Sequence, residues 1–460
     1  MTLSLSNLDF ALIAIYFVIV VSIGYFSSRH QTSKDFLIAE RRLGTLQTMA
    51  TVNASKTGAV VMFFVTMVYM WGFSAIWYFV GATLGIILFI PFSLRLKQSS
   101  NQRFYTLADY FKYNYGKKSA TAASLMTIFL MFGMSTLSLL AATKIFVFFS
   151  GWPFYVCAII VMLIVSIYLL LGGFKAVVKT DIIQYIAMLF ILFILAVLIF
   201  DTSLISTSDW SPFQAGPGTI AGFFLMGILF PFSMPELWQR VYSAKDKKTL
   251  KNGFLMSAGV YFFFALFLGL VALGIKARFP GIDPDTALIY GFKELLPTGL
   301  LGLSVVMLFS AIMSSLDTYI FTGASAIVQD FSKENGTKTV QNIRKTVVIL
   351  TVLATATAIL VQNIVIGSYI FVSFAIVLSI ISFSTWIKKN IKDTTLLTGF
   401  IFGVIGVIVF LITSLIQGEI TPTIIIAGLG ASIFGLIIGS LFRKVQNVCA
   451  HYRRGLTKNQ

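Results

Sequence analysis

The stretch Ser310–Phe331, SAIMSSLDTYIFTGASAIVQDF, decides how the rest of the chain is read. It lies in a long apolar region, yet hydroxyl and acidic side chains interrupt it repeatedly. On a helix turning about 100° per residue, Ser310, Asp317, Ser314, Ser325, Thr318, Thr322 and Ser315 fall within an arc of about 160°. Ile312, Met313, Leu316, Tyr319 and Ile320 fill the other side. Such a helix, placed at membrane depth, turns its polar side toward protein or water. Ser and Thr also serve as glue between membrane helices. Asp317 adds what glue does not need, a carboxylate that is expensive to bury without a partner. The oxygens of this face suit a small hard cation, Na⁺ or H⁺, as a coupling ion, with no other cofactor.

The surrounding composition fits a membrane solvent. Of 460 residues, 57% are hydrophobic and 11% charged, and mean hydropathy is +0.91. No soluble globular domain has this balance. A crossing helix needs about 20 apolar residues, and about thirteen segments qualify, near 8–28, 45–70, 71–94, 119–150, 153–171, 181–201, 218–242, 249–275, 298–330, 340–362, 364–387, 393–416 and 420–442. The expectation is an all-α polytopic membrane protein in contact with lipid, and not an enzyme.

Net charge is +17, which resembles a nucleic-acid signal until the charges are placed. With the N-terminus outside, 29 of the 34 Lys and Arg residues, Arg240 counted among them, fall in loops on the inner side. That asymmetry is the positive-inside rule. It predicts a cell-membrane protein, N-terminus out and C-terminus cytoplasmic, with no nucleic-acid partner. No secretion signal is expected at the start. Cys157 and Cys449 lie in different compartments and form no disulfide.

Two segments break the helical pattern. TMATVNASKTGAVV (48–61) puts Asn53, Ser55, Lys56 and Gly58 at mid-bilayer, and a broken helix survives there only where it lines a cavity. LFPFSMPELW (229–238) has Pro231 and Pro235 four residues apart, so a helix should stop near Phe230 and restart near Met234. Ser233 and Glu236 have capping-box spacing, so Glu236 is either a cap or a cavity residue. The breaks lie five segments apart, which predicts inverted five-helix repeats. The repeats span 45–201 and 218–387, with 1–44, the helices of 393–442 and the tail 443–460 peripheral. Backbone carbonyls around Asn53 to Lys56 then face Ser314 and Ser315, forming a cation site between the two halves. Thr57, Trp71, Ser233, Glu236 and Trp238 are the candidate substrate contacts for a small-molecule solute.

Other residues have plainer readings. Asp9 complements a helix dipole, Lys144 snorkels to the outer interface, and Thr106 with Asp109 forms a capping box. The outer loop 276–297 contains a short helix over Pro284–Leu295, an external lid. By its position alone, Asp181 is a helix N-terminal charge.

Three runs, GGFKAVVKTDIIQ (172–184), LWQRVYSAKDKKTLKNG (237–253) and AIMSSLDTYIFTGASAIVQDF (311–331), resemble the sodium:solute symporter family of proline, pantothenate, sugar and urea transporters. WGFSAIWYFVGAT (71–83) is reminiscent of its urea-transporter branch. The resemblance implies the leucine-transporter fold and a Na⁺ site made of backbone carbonyls of the first broken helix, near Asn53 and Lys56, with Ala311, Ser314 and Ser315. It also implies that Asp181 attends Na⁺ passage toward the cytoplasm. Lys56 departs from the family, which carries a small or neutral residue there. Three roles are open to it: replacing the Na⁺ together with Asp317, anchoring a substrate carboxylate, or pointing away. The leading expectation is a cation-driven symporter that imports a small polar solute by alternating access. The rivals are a proton-coupled or sodium-independent transporter and, in a different class, a membrane sensor built on a transport fold.

Overall fold

The computed structural model describes residues 6–28, 33–38, 41–100, 104–297, 299–332, 337–388, 390–418 and 423–456. It is all-helical apart from one isolated bridge between Leu43 and Ala244 among the described residues. In chain order the helices are α1 (Asn7–Ser28), α2 (Ser33–Ile38), α3 (Thr45–Thr57), α4 (Val60–Trp71), α5 (Ile76–Ser99), α6 (Leu107–Asn114), α7 (Lys117–Ser150) and α8 (Phe154–Ile199). They continue with α9 (Pro217–Ser233), α10 (Pro235–Ser243), α11 (Lys247–Arg278), α12 (Ala287–Leu295), α13 (Leu300–Phe331), α14 (Thr337–Val361), α15 (Ile364–Ile387), α16 (Asp393–Gln417) and α17 (Ile424–Leu456).

Among the described residues, nine helical runs are long and apolar enough to cross a membrane, and the bent pair α9–α10 adds one more. The thirteen segments read from sequence divide the same chain more finely. Val60–Ser99 passes as one apolar run through a 3₁₀ turn at Gly72–Ala75, and Asn7–Val20 and Phe154–Ile167 are shorter apolar stretches.

Burial separates centre from rim. The apolar window of α13 is 89% buried, whereas those of α16 and α17 are 28% and 33% buried. The polar-faced helix is therefore the hub, packed against α1, α3, α7, α8 and α14. α16 and α17 pair at the periphery and expose leucine, isoleucine and phenylalanine on the outer surface. α13 is also tied to the start of the chain. Asp9 accepts hydrogen bonds from Ser6 and from the Gly302 N–H at 2.6 Å, so it clamps α1 to the first turn of α13 rather than serving its own helix alone.

Both interruptions are present, each shifted from its expected place. α3 stays helical through Thr57 and breaks at Gly58–Ala59, so Asn53 to Lys56 lie inside a helix. α9 continues past Pro231 to Ser233; the chain turns by 47° at Met234, and α10 starts with Pro235 at its first position. Pro235 suits a helix start because its missing N–H is not needed there. The expected Ser233–Glu236 capping box does not form. The Ser233 hydroxyl bonds back to the Phe230 carbonyl, and Met234 is the cap without a side-chain bond. The Thr106–Asp109 box does form.

The loop expected between segments five and six is also different. α8 runs helically across it, kinked only at Gly173 (φ 57°), where a side chain would meet the Phe36 ring at 2.4 Å. Asp181 thus lies within a helix and not at its N-terminus. The lid has its helix, a 3₁₀ turn at Pro284–Thr286 running into α12. Lys144, expected to snorkel, pairs its ammonium with Asp285 of that loop at 2.8 Å.

Candidate cation and solute site

The α3 break lies directly against α13. At Gly58 an added Cβ would come 2.4 Å from Ser315 Cβ, so only glycine lets the two helices approach this closely. The approach creates an unusual acceptor. The Ala54 carbonyl oxygen receives contacts from three hydroxyls: Thr57 Oγ1 at 3.1 Å, Ser314 Oγ at 3.1 Å and Ser315 Oγ at 2.9 Å. A carbonyl has two lone pairs and a hydroxyl one proton, so the three hydroxyls compete for it. Ser314 Oγ also reaches the Ala311 carbonyl at 2.9 Å, and Ser315 Oγ accepts the Gly58 N–H at 2.8 Å. Tyr319 closes the cluster from one turn further along α13, donating to the Ser55 carbonyl at 2.7 Å.

Five neutral oxygens from two helices, Ala54 O, Thr57 Oγ1, Ala311 O, Ser314 Oγ and Ser315 Oγ, thus converge at a helix break. Hard cations take oxygen sets of this kind. No cluster of three or more His, Cys, Asp or Glu residues with metal-binding geometry occurs among the described residues.

Asn53 does not join this cluster through its side chain. It turns to α8 and α11, donating to Tyr185 Oη at 2.9 Å and the Ser257 carbonyl at 3.2 Å, and accepting from the Ser257 hydroxyl. Lys56 leaves the helix on the same side. Its ammonium sits 5.7 Å from the Tyr261 ring centroid on α11 and has no hydrogen-bond or ion-pair partner among the described residues. The acidic group within its electrostatic reach is Glu236, at the start of α10. Asp317, the partner considered from sequence, lies instead within reach of Tyr16 of α1 and accepts the Thr318 N–H. Both oxygens of Glu236 are buried without a protein donor.

Below the break sits a second charged centre, which sequence reading missed because it assigned Arg240 to a cytoplasmic loop. Arg240 is fully buried on α10. Its guanidinium contacts Thr51 Oγ1 at 3.1 and 3.2 Å, Thr318 Oγ1 at 2.9 Å and Asp181 at 3.4 Å, and lies 5.3 Å from the Phe174 ring centroid. Thr51 Oγ1 donates in turn to Asp181 at 2.5 Å. One side chain thereby links α3, α8, α10 and α13. Gln239, its neighbour, bonds the Leu37 carbonyl and accepts from Thr322. Phe36 packs edge-on against Phe321. This end of the core is sealed by those contacts. At the lid end, Thr66 donates to the Pro284 carbonyl and Tyr69 to the Phe279 carbonyl.

Two candidate solute contacts fall elsewhere. Trp71 closes the far end of α4, eleven residues beyond its start and so about 16 Å along the axis, packed edge-on against Phe223. Trp238 belongs to an aromatic cluster with Phe89, Phe92 and Tyr110 of α5 and α6. Both were chosen for nearness in sequence, which ignores the side from which each residue leaves its helix. Ser233 is buried at the α9 break, and Thr57 faces the oxygen cluster. Tyr319 and Arg240 were not singled out from sequence as site residues; Ala54 lies inside the Asn53 to Lys56 run whose carbonyls were expected there, and Gly58 was read only as part of the helix break. For Arg240 a signal existed, a basic residue one turn after a proline-started break inside a quoted motif.

Comparison with known proteins agrees with this architecture. Sodium/proline symporters of Staphylococcus aureus, among them those of strains JH9 and Newman, are 26% identical over 354 residues, covering 70% of this chain and 68% of theirs. Among solved structures, a Na⁺-coupled sialic acid symporter in a substrate-bound outward-open state superposes with a TM-score of 0.80 at 17% identity, over 95% of this chain and 98% of that one. The nucleobase-cation-symport-1 transporter Mhp1 in a closed conformation gives 0.58 at 13% identity, over 88% and 94%. These likenesses show the leucine-transporter-like fold of a multi-pass membrane protein. The sodium:solute symporter family model matches residues 36–209 and 214–403, and the chain belongs to that family.

Proposed function

We propose that this protein is a Na⁺-driven symporter that imports a small polar solute by alternating access, oriented with its N-terminus outside and its C-terminus in the cytoplasm. Family membership supports Na⁺ as the coupling ion. The observation that carries the site assignment is the Ala54 carbonyl, met by three hydroxyls from both sides of the α3–α13 contact. A Na⁺ seated there replaces competing hydrogen bonds with ion–oxygen contacts that every oxygen can make at once. Because its ligands come from residues 45–201 and 218–387, the ion would hold the two repeats together. Its departure frees α3 to move away from α13.

Asp181 and Arg240 act in this scheme as the cytoplasmic latch. Opening inward requires the Arg240 contacts with Thr51 and Thr318 to part, which exposes Asp181 as a carboxylate on the exit path. The position of Lys56, over Tyr261 and away from the hydroxyl cluster, favours a coupling ion distinct from its ammonium.

The test is uptake into proteoliposomes with Na⁺ or choline outside. Wild type should accumulate solute only with Na⁺, and Ser314→Ala with Ser315→Ala should lose the Na⁺ stimulation. Sodium dependence unchanged in the double variant eliminates this cation site, and equal uptake in choline eliminates sodium coupling.

A further inference from the structure

An open groove on the outer surface of the bundle matches a phospholipid in its make-up. It runs between α1 and α8, has a volume of about 580 Å³, and is lined by apolar side chains apart from Ser22 and Lys179. On α1 the lining follows one helical stripe, Val18, Ser22 and Phe26, and on α8 Lys179 and Ile183 share a face at the same four-residue interval. Lys179 is exposed and Ser22 half-buried. Neither the ammonium nor the hydroxyl has a hydrogen-bond or ion-pair partner among the described residues.

The two polar groups lie at one depth. On the buried side of the same seam, Gln184 Nε2 donates to Tyr16 Oη at 2.9 Å, which sets the register of the two helices. In the orientation proposed above they run in opposite senses here. Counted from that bond, Lys179 lies five residues back along α8 and Ser22 six residues on along α1. At 1.5 Å per residue both are about 8–9 Å nearer the cytoplasmic surface. Val18, Ile19, Ile182 and Ile183 fall between that level and the bond, so the groove is aliphatic toward mid-bilayer and polar at its cytoplasmic end.

A groove opening at this depth faces acyl chains, which are as apolar as its walls. Its cytoplasmic end offers a free ammonium at the level where basic residues meet anionic headgroups. The charge then selects among lipids. A zwitterionic headgroup already neutralises its phosphate with its own cation, whereas an anionic one leaves a negative charge for Lys179 to meet.

We infer that the α1–α8 groove binds an anionic phospholipid of the cytoplasmic leaflet. Its phosphate rests on Lys179, its glycerol ester oxygens meet Ser22, and one acyl chain follows Val18, Ile19, Ile182 and Ile183. The inference uses the proposed orientation and is independent of which ion drives transport. Asp181, two residues beyond Lys179 and so about 200° around the helix, belongs to the Arg240 centre. The lipid therefore braces from outside the segment of α8 that Arg240 holds from inside.

The experiment is a lipid titration of the purified full-length protein in neutral detergent, read by thermal shift, with native mass spectrometry to count retained lipid. The probes are phosphatidylglycerol, phosphatidylcholine with the same chains, and glycerol 3-phosphate, which has the phosphate and no chains. Phosphatidylglycerol should stabilise at a concentration about fivefold or more below that needed for phosphatidylcholine, and glycerol 3-phosphate should have no effect. Lys179→Gln should cut the preference to under about twofold, and Lys179→Arg should keep it. Lys345→Gln, at an exposed lysine of α14, should leave it unchanged. The inference is overturned if the two lipids act alike on the wild type, if glycerol 3-phosphate suffices, or if Lys179→Gln keeps the preference. Equal loss in Lys345→Gln also overturns it, by assigning the effect to surface charge at large. None of these outcomes alters uptake in Na⁺ or choline, so failure here is distinct from failure of the coupling-ion assignment.

Discussion

Two pairs of opposite charges are buried near the middle of this protein, and they differ in kind. Asp181 and Arg240 are in contact, and threonines from two further helices complete the guanidinium. Lys56 and Glu236 lie at the two helix breaks, without contact and, in the case of Glu236, without any donor. The first pair is finished by the fold and stabilises one arrangement of four helices. The second is left open: both Glu236 oxygens are buried without a hydrogen-bond partner, and the Lys56 ammonium lies beside the Tyr261 ring. The two pairs are thus separated by whether their hydrogen-bonding capacity is spent inside the protein.

The sharpest way to break this comparison is to remove half of the finished pair. Asp181→Leu or Arg240→Leu alone leaves an uncompensated buried charge and should destabilise by about 3–5 kcal/mol, read as a fall in unfolding temperature and loss of uptake. The double variant should recover much of the stability and none of the Na⁺-driven transport. If the singles are mild, the centre is not the closed latch described above.

The next largest effect belongs to Gly58→Ala. Its new Cβ meets Ser315 at 2.4 Å, and overpacking of this kind costs about 1–3 kcal/mol. Because the strain falls between α3 and α13, the Na⁺-induced thermal shift should shrink more than the unfolding temperature does. A double-mutant cycle on Lys56→Met and Glu236→Gln without solute should give a smaller number. Groups that do not touch couple by less than about 1 kcal/mol. Coupling as strong as that of the Asp181–Arg240 pair in the solute-free protein would erase the distinction between the two. The smallest effect is expected for Lys144→Ala at the lid. Its pair with Asp285 is partly exposed, so stability should change by under about 1 kcal/mol, measured in the same melts.

The Asp181–Arg240 pair shows how far reading from sequence reaches. Asp181 was legible through its motif, but counting Arg240 among loop charges placed it in the wrong solvent. Charge position along the chain reports the membrane side on average, and says nothing about a single arginine folded back into the core. The breaks were legible to within a few residues, because proline pairs and Asn-Ser-Lys-Gly runs oppose helix locally. Their final positions, Gly58 and Met234, depended on where neighbouring helices could dock. Trp71 and Trp238 lie apart from the oxygen cluster for the same reason.

The sequence by itself determined the membrane solvent, the two interruptions, their spacing and the hydroxyl face of α13, all of which are properties of local composition and period. Only the tertiary structure decided that the Ala54 carbonyl is the shared acceptor, that Arg240 closes onto Asp181, and that the Lys56 ammonium lies beside the Tyr261 ring. Those are facts about rotation and approach between helices distant in the chain. A helical period fixes which residues share a face, but the partner of that face is chosen by packing the whole bundle at once.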